Sequence, residues 1–143
     1  MKIGGSMKTK GRFVHLSIIG AMSLMAAVAW GKTYTMQTST LEPGAVAKLD
    51  VKANTGNTEM DLKVEHLAKP SLLSQPASNY VVWVQQPGHE PINEGLLRVD
   101  DSLKGEVKAT TTAARFTVLV TAEDDAKAQT PSDRVVLRAD VQE

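Results

Sequence analysis

Beyond residue 31 the chain carries two histidines, His66 and His89, and these are the first residues to question for chemistry. A hydrolytic triad needs a nucleophile, a base and an orienting acid within mutual reach. His66 closes the strand-like run "KVEHL", where an exposed or edge side chain is expected, and His89 stands beside Glu90 in "QPGHE". Turns carry sites more often than strands do, but no nucleophile motif such as G-x-S-x-G accompanies His89. No catalytic residue is assigned, and the chain is not expected to be an enzyme. Two distant histidines without cysteines fall short of a zinc signature. The acids of "VDDS" at 99–102 and "AEDDA" at 122–126 gather oxygen ligands in loops, yet neither has the spacing of an EF-hand. They read as solvated loop acids, and neither a metal nor a cofactor is expected. Trp83 completes the set. Exposed, it would stack on a sugar ring; embedded in "YVVWV", it is expected to fill the space between two sheets, as the strand C tryptophan of immunoglobulin domains does. The candidates for ligand binding are therefore Trp83, His89 and Glu90.

The elements that must position these residues follow from an apolar period of two. In "EMDLKVEHL", Met60, Leu62 and Val64 alternate with Glu59, Asp61, Lys63 and Glu65, the pattern of a half-buried strand. "AVAKLDVKA" repeats it with Ala47, Leu49, Val51 and Ala53, and "NTGN" at 54–57 supplies a turn, so the two runs form a hairpin. Ahead of them "EPGA" places Pro43 and Gly44 at the centre of an expected type II turn, after a first strand "TYTMQT". "LAKPSLLSQPAS", with its two prolines, reads as an irregular crossover between sheets. "NYVVWVQQ" has Tyr80, Val82 and Val84 on one face and Val81 and Trp83 on the other, as a central strand would. "QPGH" is then a turn about Pro87 and Gly88, and "INEGLL" opens the next strand with Gly95 at a bulge. "GEVKAT", "RFTVLVTAE" and "DRVVLRADV" follow. The series predicts an all-β fold: a single antiparallel immunoglobulin-like β-sandwich of about seven or eight strands over residues 32–143. A small closed barrel would fit the same pattern.

Residues 1–31 belong to a different class. Lys2, Lys8, Lys10 and Arg12 come with no acid, and the run from Phe13 to Trp30 is almost wholly apolar. A charged stretch followed by an apolar one is a signal segment, with small residues permitting cleavage after Ala29 or after Gly31. An uncleaved signal anchor over residues 13–30 is the alternative, since the run is close to the minimum for crossing a bilayer. Met7 could serve as the start without changing either reading. Both place the folded part outside the cytoplasm, secreted or periplasmic, and membrane contact is expected only if the leader is retained. The remainder has 12 basic residues against 16 acidic ones, a net charge of −4. Without a Lys/Arg cluster it is a poor nucleic-acid binder. Cysteine is absent, which excludes disulfides, thiol catalysis, a thiolate metal site and a cysteine-linked lipid anchor.

The order of motifs carries a resemblance. "YVVWVQQPGHEPINEGLLRVDD", "RFTVLVTAE" and "TPSDRVVL" together resemble the extracytoplasmic C-terminal domain of RskA-type anti-sigma factors and related small secreted bacterial proteins. The matching positions are Tyr80 and Trp83, Gly95 and Leu96, Val120 to Glu123, and Pro131 with Val135 to Leu137, within a likeness that spans residues 58–141. The family's usual Gly-Gly-Ser turn after the glutamate is replaced by "DDAKAQ". With 12 residues ahead of the apolar run, no counterpart of the cytoplasmic zinc-binding helical part that holds a sigma factor is expected. The resemblance implies a sensor-like or accessory sandwich outside the inner membrane.

Two functions are compatible with these observations. One is a non-catalytic exported β-sandwich acting through protein contacts at its sheet edges and acidic loops, with an envelope or secreted protein as partner. The other is a small-ligand or carbohydrate-binding module built on Trp83, His89 and Glu90, and the exposure of Trp83 separates the two.

Overall fold

The computed structural model describes Gly4 and residues 31–142. The expected signal segment over residues 1–31 lies outside the described residues, apart from Gly4 and Gly31. Among the described residues no helix is long and apolar enough to cross a membrane.

The strict alternation of residues 46–65 forms the hairpin it predicts. Strands β3 (Val46–Asn54) and β4 (Asn57–Glu65) pair antiparallel from Val46↔Glu65 to Asn54↔Asn57 around the two-residue loop Thr55–Gly56. Ala47, Leu49, Val51, Met60, Leu62 and Val64 point inward and are buried, whereas Lys48, Lys52, Glu59 and Lys63 face solvent. Strands β1 (Lys32–Thr35) and β7 (Gly105–Thr111) flank the hairpin, giving a four-stranded sheet of order β1-β3-β4-β7. The second sheet has five strands in the order β2-β9-β8-β5-β6, with β2 at Gln37–Thr38, β5 at Asn79–Gln85, β6 at Ile92–Leu97, β8 at Arg115–Glu123 and β9 at Val135–Gln142. All pairings are antiparallel.

The two sheets pack as a sandwich. Tyr80, Val82, Val84, Phe116, Val118, Val120, Ala139 and Val141 of the larger sheet meet the inward residues of the smaller in one apolar core. With each buried aliphatic side chain stabilising by about 1.5–3 kcal/mol, this core replaces the disulfides that a cysteine-free chain cannot form. Tyr80 carries its hydroxyl into that core and satisfies it on the Ala68 carbonyl, 2.7 Å away. Burial, reinforced by the Glu42 carboxylate, pushes its phenol well above the usual range.

The structure refines the sequence reading at three places. "TYTMQT" is two strands, because the chain passes from one sheet to the other at Met36, whose side chain is buried in the core; nine strands result among the described residues. The crossover at 67–78 links β4 of one sheet to β5 of the other as predicted, with a short 3₁₀ turn at Pro70–Leu72. The turn at Glu42–Ala45 closes through Ala45 N–H to Glu42 O, but Gly44 has no positive φ, so it is not the predicted type II turn. The corresponding turn at Gln86–His89 does have Gly88 at φ 75°, the type II geometry.

Candidate functional site

Strand β5 is buried along both faces, and its second face needs a cover that the opposing sheet cannot supply. Tyr80, Val82 and Val84 face the other sheet, while Val81 and Trp83 point to the outside of their own. There Val81, Trp83 and Leu119 form a separate small core with Leu96, Ala128 and Val135 packed against it. Trp83 has no solvent exposure. The tryptophan is therefore a core residue, as expected, but it does not fill the space between the sheets. It lies on the outer face, beneath the segment 124–134 that joins β8 to β9. The expectation failed on location because strand parity separates two faces without saying which one meets the other sheet.

A chain of hydrogen bonds fastens this segment. Trp83 Nε1 donates to Thr121 Oγ1 at 2.7 Å, and the Thr121 hydroxyl donates to Glu123 Oε1. Ser132 N–H donates to the same carboxylate oxygen at 2.7 Å, and Ser132 Oγ donates to the Ala122 carbonyl. Thr121 and Glu123 are both buried and, two apart on β8, share its outer face. On the other side Asn93 Nδ2 donates to the carbonyls of Ala126 and Ala128. Asn93 is placed by a β-bulge: Val82 pairs with Gly95 and Trp83 with Asn93, so Glu94 is the extra residue. Gly95 makes that bulge possible, with φ 124°, and its N–H is taken by Asn93 Oδ1 at 3.0 Å. Glu94 is half-buried, and this desolvation raises its carboxyl above the ordinary value.

This arrangement closes a surface; it does not present reactive atoms. Thr121 Oγ1 both accepts and donates, so its hydroxyl proton is committed to Glu123, and Glu123 Oε1 already holds two donors. Tyr80, Trp83, Leu96, Thr121, Glu123 and Val135 lie in or beside these two cores. Packing and latch contacts account for their spacing. Sequence reading missed Thr121, Glu123 and Ser132 as one unit. The available signal was the polar pair Thr121 and Glu123 on the same face of β8 as Leu119, which pairs directly with Trp83.

The other candidates lie elsewhere. His89 and Glu90 are exposed on the turn after β5, and they do not join the buried Trp83 in one site. His89 Nδ1 approaches the Pro87 carbonyl at 3.0 Å, and Gln85 Nε2 donates to the His89 carbonyl. His66 is exposed immediately after β4 with φ 57°, where the chain leaves the sheet. The loop acids serve their own loops. Asp100 Oδ1 accepts from the amides of Ser102 and Lys104, and Asp125 Oδ1 from that of Lys127. Asp124 pairs with Arg134. A hydrogen bond from Lys69 lowers the carboxyl of Asp101.

The outer face of the four-stranded sheet is a charge lattice. Asp61 lies between Lys63 at 3.2 Å and Lys108 at 3.9 Å, and Lys63 also reaches Asp50. The hydrogen bond to Asp61 raises the ammonium of Lys63. Neighbouring opposite charges offset one another on this face, and at its centre Asp61 Oδ1 is buried without a hydrogen-bond partner among the described residues. Its margin differs: β7 pairs with β4 along seven residues without a register shift, and no other strand pairs with β7 among the described residues. A scan against protein-family models finds no match to the chain, and neither does a search of curated proteins.

Proposed function

We propose that this chain is an exported, non-catalytic immunoglobulin-like β-sandwich that works through protein contacts. The observation that carries the reading is the β7 edge, a regular seven-residue strand with a free margin among the described residues. An extended segment of a partner adds to such an edge through main-chain hydrogen bonds. The other long edge strand, β6, is interrupted by its bulge, and its Gly95 N–H is already occupied. The immunoglobulin-like assignment is supported by the order β9-β8-β5-β6, which corresponds to strands G, F, C and C′ of that fold. In the smaller sheet a local β3–β4 hairpin stands where strands B and E would pair. The likeness of residues 58–141 to the extracytoplasmic RskA-type domain adds the expectation of a sensor-like or accessory role outside the inner membrane. A sugar-binding role finds no support at Trp83, which offers no face for stacking. Cross-linking of the full chain in the exported fraction tests the proposal: reproducible protein adducts are expected. Repeated recovery of the chain free of any protein adduct, together with saturable glycan binding, would sink it.

A further inference from the structure

We infer that the β7 edge pairs with the β7 edge of a second copy of this chain, about a two-fold axis at Val107, joining the two four-stranded sheets into one. The inference rests on the protein-contact reading and names the partner.

The free backbone groups of β7 follow from the hairpin. Asn54 and Asn57 flank a two-residue loop and so exchange hydrogen bonds with each other. Alternation then directs the backbone groups of Glu59, Asp61 and Lys63 toward β3, and those of Thr58, Met60, Leu62 and Val64 toward β7. The β7 partners of the latter are Thr111, Ala109, Val107 and Gly105. Glu106, Lys108 and Thr110 therefore point N–H and C=O away from the sheet, and none of these groups has a backbone partner among the described residues. Their side chains are exposed on the outer face, while Val107 and Ala109 are half-buried against the core.

Charge selects the register. Residues with outward backbone groups must face each other, so the candidate axes lie at each position from Glu106 to Thr110, and those at Ala109 and Thr110 set Lys108 against a threonine and bring no opposite charges together. An axis at Glu106 sets Glu106 against its own copy, and one at Lys108 sets Lys108 against its own copy. Like charges directly opposite are destabilising, and opposite charges there are stabilising. The axis at Val107 places Glu106 opposite Lys108 twice. It also brings the two Val107 side chains together in a non-hydrogen-bonded pair and sets Gly105 against Ala109. A lysine on an edge strand ordinarily discourages pairing with other strands; here self-pairing is the arrangement that matches it. So short an edge buries less than the roughly 1,000 Å² of a stable interface, and the dimer is correspondingly weak.

The full chain has no cysteine, so Val107→Cys introduces a single thiol at the axis, where a Cα separation of about 4.5 Å suits a disulfide. Under mild oxidation V107C is expected to form a covalent dimer roughly tenfold faster than A109C, whose thiol would face Gly105 of the other copy. Glu106→Lys and Lys108→Glu are each expected to shift sedimentation toward monomer. An equimolar mixture of the two restores association, because the mixed pair sets lysine against glutamate at both positions. Equal oxidation rates for V107C and A109C, or a mixture no more associated than its components, would overturn the inference. A chain that stays monomeric yet keeps specific adducts with another protein loses this inference and leaves the protein-contact reading standing.

Discussion

Thr121→Val removes a hydroxyl and keeps the shape of the side chain, so it tests the latch with little disturbance of packing. The loss has two parts. The indole N–H of Trp83 is buried, and its bond to Thr121 Oγ1 is 2.7 Å long; leaving such a donor unpartnered costs about 1–3 kcal/mol. The buried Glu123 carboxylate loses one of its two donors on Oε1 and keeps Ser132 N–H, and a bond to a charged group contributes about 1.5–3 kcal/mol. The two share one hydroxyl and do not add fully, so a total of about 2–4 kcal/mol is expected. Against a typical domain stability of about 5–15 kcal/mol, this is easily measured. Urea unfolding followed by far-UV circular dichroism should show the midpoint falling by roughly 1–2 M. A double-mutant cycle with Trp83→Phe isolates the first part: once Trp83→Phe has removed the indole donor, Thr121→Val should cost about 1 kcal/mol less. If T121V lies within about 0.5 kcal/mol of the parent, or if the two changes are additive, the latch is not a stabilising unit.

Three further outcomes follow from the same structure. With Trp30 replaced by phenylalanine, the emission of Trp83 should be blue-shifted and poorly quenched by acrylamide; ready quenching would mean that segment 124–134 does not cover it. Glu94→Gln should stabilise the protein at pH 7 and lose that advantage in acid. Burial raises the folded-state carboxyl above its ordinary value of 4.5, so the protonated form is fully favourable below that value and its contribution is lost as pH rises through the raised one. A gain that persists at low pH would assign the effect to another cause. Gly105→Ala should lower the thermal midpoint by an amount equivalent to about 1–3 kcal/mol, because its Cβ would lie 2.6 Å from the Arg98 carbonyl oxygen and 3.0 Å from Leu97 Cδ1. An unchanged midpoint would show that the β6–β7 connection yields freely.

Local pattern carried much of the fold. Alternating residues from Ala47 to Val64 specify a strand pair, Thr55–Gly56 closes it, and prolines at 70 and 76 mark the crossover. The bulge at Gly95 was legible for the same reason, since glycine inside a strand pattern signals a backbone conformation closed to other residues. The outer core and its latch were only half legible. That β5 is apolar on both faces is written in "YVVWV", but what covers the face of Val81 and Trp83 is not.

The cover is the stretch from 124 to 134, which reads as polar loop and yet places Ala128 on the small core and Ser132 on Glu123. Likewise nothing within "GEVKATT" says that it pairs on one side only; that depends on where β4 and β6 end up. Periodicity is a property of neighbours along the chain, set by backbone geometry, and so the long strands, most turns and the two faces of each strand could be read from local pattern, whereas the break at Met36 and the type of the Glu42–Ala45 turn could not. Which face is covered, by which segment, and which edge is left open depend on contacts between residues distant in sequence, and those exist only once the chain has folded.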